Sequence, residues 1–318
     1  MNSSQAKEAI KNITFGIEIE CMFPTELATQ YRIQTSSSHW SRPIDMTHVQ
    51  NEDGISFSDW GASWDQTITR KAGFTPIEFN SKILKGEDGW ASATRFFKWL
   101  ADCGAQVDSS CGLHIHLGVK EMVRGSDIDE SIDTILKTMK FANSVKTAIF
   151  AQGGSARRYF EGTWARARTS HLRTQAEARA NERQVPCFGG KYFFINTRNI
   201  GDNGFNGRKA TMEFRAFAGT TNYAKMLTHL STCLTIAYTG MVIKRGSWES
   251  KNQTADKALA SFNNLASYMS NASFLTQFPT FEANKRKMWK IGRKMATKFQ
   301  NNVSRFTRNG NINLELYK

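Results

Sequence analysis

Three segments of the chain alternate apolar and polar residues with period two: Ile13-Thr-Phe-Gly-Ile-Glu-Ile-Glu, Cys111-Gly-Leu-His-Ile-His-Leu and Ala210-Thr-Met-Glu-Phe-Arg-Ala-Phe. In a β-strand, residues i and i+2 point to one face. Ile19, Ile115 and Phe214 therefore face a core, while Glu18 with Glu20, His114 with His116, and Glu213 with Arg215 share the other side. The first strand covers 13–23 and is stopped by Pro24. A strand pair is predicted for Trp64-Asp-Gln-Thr-Ile-Thr and Thr75-Pro-Ile-Glu-Phe-Asn, joined through Lys71-Ala-Gly73, and a further strand for Lys191–Asn196.

Helical spacing takes over between these strands. Phe96, Phe97 and Leu100 predict a helix over 91–103 closed at Gly104. Ile128, Ile132, Ile135, Leu136, Met139, Val145 and Ile149 predict one amphipathic helix over 127–151. Residues 222–243 and 255–270 also read as helices. No Rossmann or Walker glycine fingerprint accompanies them. The expectation is an α+β fold with a curved, largely antiparallel sheet and helices packed on one side.

Composition changes this picture in one respect. Hydrophobic content of 40% and charged content of 22% are ordinary for a folded protein, but 42 basic against 28 acidic residues leave a formal charge of +14. Such an excess attracts nucleic acid, nucleotide, a membrane surface or an acidic substrate. The basic residues concentrate in 155–183 (Arg157, Arg158, Arg166, Arg168, Arg173, Arg179, Arg183) and in 283–318, where ten Lys/Arg face one acidic residue. In the latter, Trp289, Phe299 and Phe306 are interleaved. It reads either as a helix docked on the domain with its charges solvated, or as an anion-binding arm with aromatics for stacking. The chain is accordingly divided into a main domain, 1–270, and a basic extension, 271–318, which on the second reading would bind nucleic acid.

Five scattered cysteines without a Cys-x-x-Cys pair disfavour a zinc ribbon and fit reduced, buried thiols. The N-terminus lacks an apolar signal region and no stretch approaches a membrane span, so a cytoplasmic protein without a membrane partner is expected.

The polar members of the three strand pairs carry chemistry. Carboxylate and imidazole ligate divalent metals, and arginine binds phosphate or carboxylate. Asp65 and Glu78 lie in the second strand pair, and Asp53, in Glu-Asp-Gly, rivals Asp65 as the site aspartate. With Glu18, Glu20, His114, His116 and Glu213 these supply ligands for two ions. The oxygen-rich set favours Mg²⁺ or Mn²⁺, and arginine beside two metals points to phosphoryl chemistry.

The order of these motifs resembles the amidoligase family of the carboxylate–amine ligase superfamily, with its glutamine-synthetase-like catalytic fold. The residues that carry the resemblance are Gly16-Ile-Glu-Ile-Glu20, Trp64-Asp65, Glu78-Phe-Asn-Ser81, Cys111-Gly-Leu-His-Ile-His116, Ser155-Ala-Arg-Arg-Tyr159, Lys191-Tyr-Phe-Phe-Ile-Asn196, and Glu213-Phe-Arg215 with Gly219-Thr220. One departure is Lys82, where the family pattern has proline. The resemblance implies ATP-dependent amide formation through an acyl phosphate, with ATP and Mg²⁺ or Mn²⁺ as cofactors. It implies that Glu18 and Glu20 share two metal ions, with Asp65, Glu78, His114 and Glu213 completing the set. Arg215 would neutralise the transferring phosphoryl group, and Arg157 or Arg158 would bind nucleotide phosphate or the substrate carboxylate. Asn196 would belong to the nucleotide site, and His116 would be a ligand or a hydrogen-bonding group to nucleotide or acceptor.

The substrates implied are a carboxylate and an amine, each a small molecule, a peptide or nucleic-acid-linked; an oligomer is compatible with relatives that build sites between subunits. Two other functions are open: a metal-dependent phosphoesterase or nuclease that uses the same ligands with water as nucleophile, and a non-catalytic basic nucleic-acid-binding protein in which these residues are structural.

Overall fold

The computed structural model describes residues 1–33, 43–123, 128–153, 194–203, 210–243 and 257–307. Its central strand, β1 (Thr14–Pro24), alternates as the pattern demands: Phe15, Ile17, Ile19, Cys21 and Phe23 are buried, while Gly16, Glu18 and Glu20 are only partly so. Full burial of such an apolar side chain stabilises the fold by about 2 kcal/mol, so one face of β1 must be covered. A register slip of one residue would turn the carboxylates into the core.

Strands β2 (Ile44–Asp45), β3 (Trp60–Trp64), β4 (Phe74–Ser81), β5 (Leu84–Lys85), β6 (Gly112–Gly118), β7 (Ile195–Asn196) and β8 (Thr211–Ala218) join β1 in one curved, open sheet, antiparallel throughout. The order among the described residues is β2-β3-β4-β1-β6-β8-β7, with β5 paired to the start of β1. The three strands read from alternation, β1, β6 and β8, are thus neighbours or next neighbours at the centre.

Helices cover the apolar face. They are α1 (Ser3–Asn12), α2 (Thr25–Gln30), α3 (Gly86–Asp102), α4 (Ile128–Ser144), α5 (Lys146–Gly153), α6 (Arg198–Asn203), α7 (Tyr223–Val242), α8 (Ala258–Asn271) and α9 (Pro279–Thr307). Aromatic side chains lock sheet to helix: the Trp60 ring of β3 stacks on Phe96 of α3 with centroids 3.7 Å apart, and Phe79 of β4 meets the same Phe96 edge-on. Within this layer α7 is buried along nearly its whole length. Its Thr228, Ser231, Thr232, Thr235 and Thr239 hydroxyls donate to carbonyls four residues back, so they are satisfied within the helix.

Three expectations change at the element level. The predicted helix 127–151 is two helices meeting at Val145, where Ser144 Oγ donates to Phe141 O at 2.7 Å and competes for the carbonyl ladder. The strand expected to begin at Trp64 instead ends there, so Asp65 sits just past β3. The helix expected over 91–103 begins earlier, at Gly86, and Gly104 closes it with φ +73°. Of the strand expected over 191–196, the residues 191–193 lie outside the described ones.

Residues 258–307 fold back onto the helical layer. Phe278 stacks on Trp90 of α3 at 5.3 Å, and Glu87 accepts from Thr280 N at 2.9 Å to close the start of α9. Phe281, Met288, Ala296, Phe299 and Val303 form the buried face of α9. Gly292 is required there, because a methyl group on it would run into the Phe262 ring of α8. The aromatics expected to be free for stacking are therefore turned inward: Phe299 is fully buried and Trp289 packs against the core. The expected stacking role fails for these two; the Phe306 side chain lies outside the described residues.

Candidate active site

The open face of the sheet collects polar residues by strand alternation alone. Register places Glu20 opposite Glu78, Glu18 opposite both Asn80 and His114, His116 opposite Glu213, and Glu213 opposite Asn196. The backbone thus brings together on one surface residues up to nearly two hundred positions apart.

Two acidic groups result. Glu18, His116 and Glu213 bring one ligand atom each within 4.8 Å of one another, and so do Glu20, Asp65 and Glu78. Both contain a carboxylate from β1, and the i, i+2 spacing of Glu18 and Glu20 sets the groups side by side. Asp65 reaches the second group because its backbone N bonds to Pro76 O at 3.3 Å, extending the β3–β4 pairing by one residue. Its Oδ1 accepts from Thr67 N at 2.7 Å and Thr67 Oγ1 at 2.8 Å. Its rival Asp53 is exposed in the turn at Gly54 and belongs to neither group.

In the first group, Glu18 Oε2 lies 3.1 Å from His114 Nδ1 and Oε1 lies 3.0 Å from His116 Nε2. His114 Nδ1 also stands 3.7 Å from Glu213 Oε1. Glu213, itself buried, is held at both oxygens: Asn196 Nδ2 donates to Oε2 at 2.7 Å, and Arg215 Nη1 pairs with Oε1. The Nε of Arg215 is buried and makes no hydrogen bond. A buried guanidinium N–H without an acceptor is costly, and at this place it is suited to an anionic ligand.

A β-bulge gives Arg215 its position. Leu113 pairs with Phe217 and Ile115 with Phe214, so Arg215 and Ala216 together oppose His114. The extra residue reverses the alternation. Glu213 and Arg215 face the site, yet Phe217, two further on, turns to the helical face and stacks on His229 at 4.1 Å.

Charge distribution follows from this crowding. Burial opposes ionisation of Glu18, but the His116 charge and the contacts with both imidazoles outweigh it and hold its pKa well below the carboxylate range. His116 is shifted the other way: burial resists protonation, while Glu18 and then Glu213 raise its pKa above 6.5 against the opposing Arg215. Glu78 is pushed up to about 8 by burial and by Glu18, with Glu20 and Asp65 adding to the rise and the Asn80 amide opposing it. A carboxylate cluster that can only stay partly ionised is poorly satisfied by itself and suits a divalent cation. The donor chemistry fits: carboxylate oxygens dominate, imidazole contributes, and Cys111 is fully buried with its thiol pushed up to about 11, chiefly by burial.

Four participants escaped the sequence reading. Asn80 donates to Glu78 Oε1 at 3.0 Å, and Glu78-Phe79-Asn80 is a fourth instance of the same alternation, so a signal existed. Gly112 N donates to Glu20 Oε2 at 2.6 Å, Thr211 Oγ1 lies 3.4 Å from His116 Nδ1, and Thr67 holds Asp65. A backbone N–H carries no residue-type signal.

The other motifs are structural at this level. Gly219 N donates to Cys111 O at 2.9 Å, and a Cβ on Gly219 would stand 2.7 Å from that of Cys111, so Cys-Gly and Gly-Thr are two sides of one close strand contact. Lys82, where proline was expected, uses its N–H on Asp59 O at 2.6 Å, a bond proline cannot make, and pairs with Asp45 at 2.6 Å. His48 is exposed with its ring on Tyr31 O, and His229 is buried behind the sheet. Arg157 and Arg158 lie outside the described residues, as do His39, His171 and the whole arginine-rich segment 155–183.

Comparison with known proteins bears on the whole arrangement. No curated protein matches the chain. Among solved structures it is similar to a bifunctional glutathione synthetase from Pasteurella multocida (11% identity, TM-score 0.48, 97% of this chain and 51% of that chain). It is also similar to the ligase PafA, solved in complex with the prokaryotic ubiquitin-like protein Pup (9% identity, TM-score 0.40, 93% of this chain and 65% of that chain). The chain thus spans between half and two thirds of the length of these proteins. A family model described as "Putative amidoligase enzyme" matches residues 11–237, which run from the end of α1 to near the end of α7 and include every strand among the described residues. The chain belongs to the amidoligase family.

Proposed function

We propose that the protein is an ATP- and metal-dependent ligase that joins a carboxylate to an amine through an acyl phosphate. The observation that carries the reading is the pair of adjacent acidic groups, Glu18/His116/Glu213 and Glu20/Asp65/Glu78, with Arg215 against the first. A transferring phosphoryl group needs positive charge on its oxygens and a fixed line of attack. This surface offers two places for divalent cations and a guanidinium with a spare buried N–H.

In this reading Glu18, Glu20, Asp65, Glu78, His114 and Glu213 hold two Mg²⁺ or Mn²⁺ ions, which supply charge neutralisation for the nucleotide phosphates when bound. A substrate carboxylate oxygen attacks the γ-phosphorus of ATP and ADP leaves. The amine nitrogen then attacks the acyl carbon, phosphate leaves and the amine proton passes to a base. Arg215 neutralises charge on the transferred group. Asn196, which donates to Glu213 Oε2, borders the nucleotide site. His116, which shares the first group with Glu18 and Glu213, is either a further ligand or, with its raised pKa, a donor to nucleotide or acceptor. Arg157 and Arg158 are proposed for phosphate or substrate carboxylate. The substrates are assigned only by class: a carboxylate and an amine on a small molecule, peptide or nucleic-acid-linked group.

The test is ATP and Mg²⁺ or Mn²⁺ with pooled amines and carboxylates. ADP and phosphate release that requires both co-substrates, and is lost in Glu20→Ala and Glu213→Ala, is the expected result. Polynucleotide cleavage without ATP would replace this reading with a nuclease.

A further inference from the structure

Behind the sheet, α9 presents a second feature that the ligase reading does not use. Arg286, Lys287, Lys290, Arg293, Lys294 and Lys298 are all exposed. At 3.6 residues per turn they fall within an arc of roughly 140°, and at 1.5 Å rise they extend over roughly 18 Å. The buried side chains Phe281, Met288, Ala296, Phe299 and Val303 occupy the opposite side of the helix. No acidic residue occurs between 283 and 303, and among the described residues none of the six cations is ion-paired; the one pair on this helix is Lys285 with Glu282 at its start.

Tertiary packing adds a cation from a distant segment. Lys98 of α3 lies 5.1 Å from the centre of the Tyr223 ring, and Lys287 of α9 lies 4.3 Å from it and donates to Tyr223 Oη at 2.8 Å. One tyrosine therefore gathers two like charges at the edge of the stripe. An anion bound there would be attracted by both charges.

We propose that this stripe binds the phosphate backbone of double-stranded nucleic acid without sequence preference. The occupant follows from what the surface has and lacks. It is a linear run of like charge, the complement of a polymer with regularly spaced phosphates. Its described aromatics, Phe281, Trp289 and Phe299, point inward, which does not serve base stacking on single strands. Ile55, Ile83 and Tyr268 are the large exposed hydrophobics among the described residues, and none is on α9, so the apolar centre of a protein–protein interface is missing. The stripe lies in the helical layer, away from the acidic face of the sheet, and so leaves the ligase site free while the protein is held on a polyanion.

The test measures binding of the full-length protein to a random-sequence DNA duplex by fluorescence anisotropy between 50 and 200 mM salt. About five neutralised phosphates give a log–log slope near −4.5, which is roughly a 500-fold loss over that range. A triple variant, Lys290→Glu with Arg293→Glu and Lys294→Glu, replaces exposed side chains only. It should lower affinity more than about tenfold and reduce the slope by about 2.7. A control of equal charge change, Arg70→Glu with Lys71→Glu and Lys120→Glu, should retain both within about twofold. Equal losses in the two variants would assign binding to net charge and overturn the proposal, as would unchanged binding by the first. Poly-glutamate competing as well as duplex would assign the stripe to an acidic protein. A single-stranded oligonucleotide bound more than tenfold tighter than duplex would assign it to stacking. Either of these outcomes also overturns it.

Discussion

Glu20 and Glu78 stand directly opposite one another on neighbouring antiparallel strands, two carboxylates where cross-strand pairing ordinarily puts opposite charges or apolar groups. Asp65 makes a third. The arrangement destabilises the metal-free protein and is tolerated because Glu78 keeps its proton up to a pH of about 8. Glu78→Gln should therefore act in opposite directions on two measurements. The metal-free variant should melt about 2–4 °C higher at neutral pH, because the amide enters this cluster without the proton uptake on folding that the carboxyl requires. Its affinity for Mn²⁺, measured by calorimetry, should fall at least about tenfold. A variant that is both less stable and an equally good metal binder would refute the metal assignment.

Arg215 is tied to Glu213, with one buried N–H left over. Replacing it with alanine removes the cation that the proposed mechanism sets against the transferred group and should lower the proposed ligase turnover about 10²–10³-fold. It also leaves the buried Glu213 carboxylate with Asn196 as its remaining close donor, so unfolding should occur at lower urea. Arg215→Lys restores the charge without the planar fork and should recover stability more than turnover. Equal recovery of both would reduce Arg215 to a structural ion pair.

Gly219→Ala should cost about 1–3 kcal/mol, since the new methyl would stand 2.7 Å from Cys111 Cβ. The strand contact it disturbs adjoins Gly112, whose N–H holds Glu20, so activity should fall along with melting temperature. Adding Cys111→Gly removes the obstructing Cβ and should recover part of both. If the double variant is no better than Gly219→Ala, backbone conformation rather than the close contact decides the residue.

His229 offers a pH test remote from the catalytic face. Burial first, and then the Lys225 charge, hold its pKa well below 6.5. The unfolded chain takes up this proton near pH 6.5 and the folded protein does so only at much lower pH. The unfolded state thus binds more protons below about 6.5, so stability falls as pH drops through that region. His229→Phe, which keeps a ring against Phe217, should flatten the urea-unfolding stability between about pH 6.5 and 5 relative to the native sequence. Parallel pH profiles would rule out this histidine as the source.

Residues 279–307 bury Phe281, Met288, Phe299 and Val303 against the helical layer, each contributing about 1.5–3 kcal/mol. Together that is comparable with the whole stability of a domain. A chain ending at residue 278 should therefore be insoluble or lack a cooperative melt. A soluble, cooperatively melting product would make this helix an accessory that the catalytic unit can lose.

Much of the site was legible because strand alternation is a local rule: the preference for burying every second apolar residue puts Glu18 and Glu20, His114 and His116, or Glu213 and Arg215 on one face whatever the partners. The same rule, applied once more, would have found Asn80. Helix limits were less legible where side-chain hydroxyls intervene, as at Ser144, because periodicity does not register a competing hydrogen bond.

The chain alone carried strands β1, β6 and β8 with their polar faces, the oxygen-rich donor set and the basic bias of the C-terminal segment, all of which depend on neighbours within a few residues. Only the tertiary structure decided the rest. It divided the donors into two groups, because register across β4, β1, β6 and β8 sets which carboxylate meets which imidazole. It chose Asp65 over Asp53 through one backbone bond to Pro76. It turned Phe299 and Trp289 inward and left the cations of α9 outside, because the apolar face of that helix had a core to cover and its charges had only water.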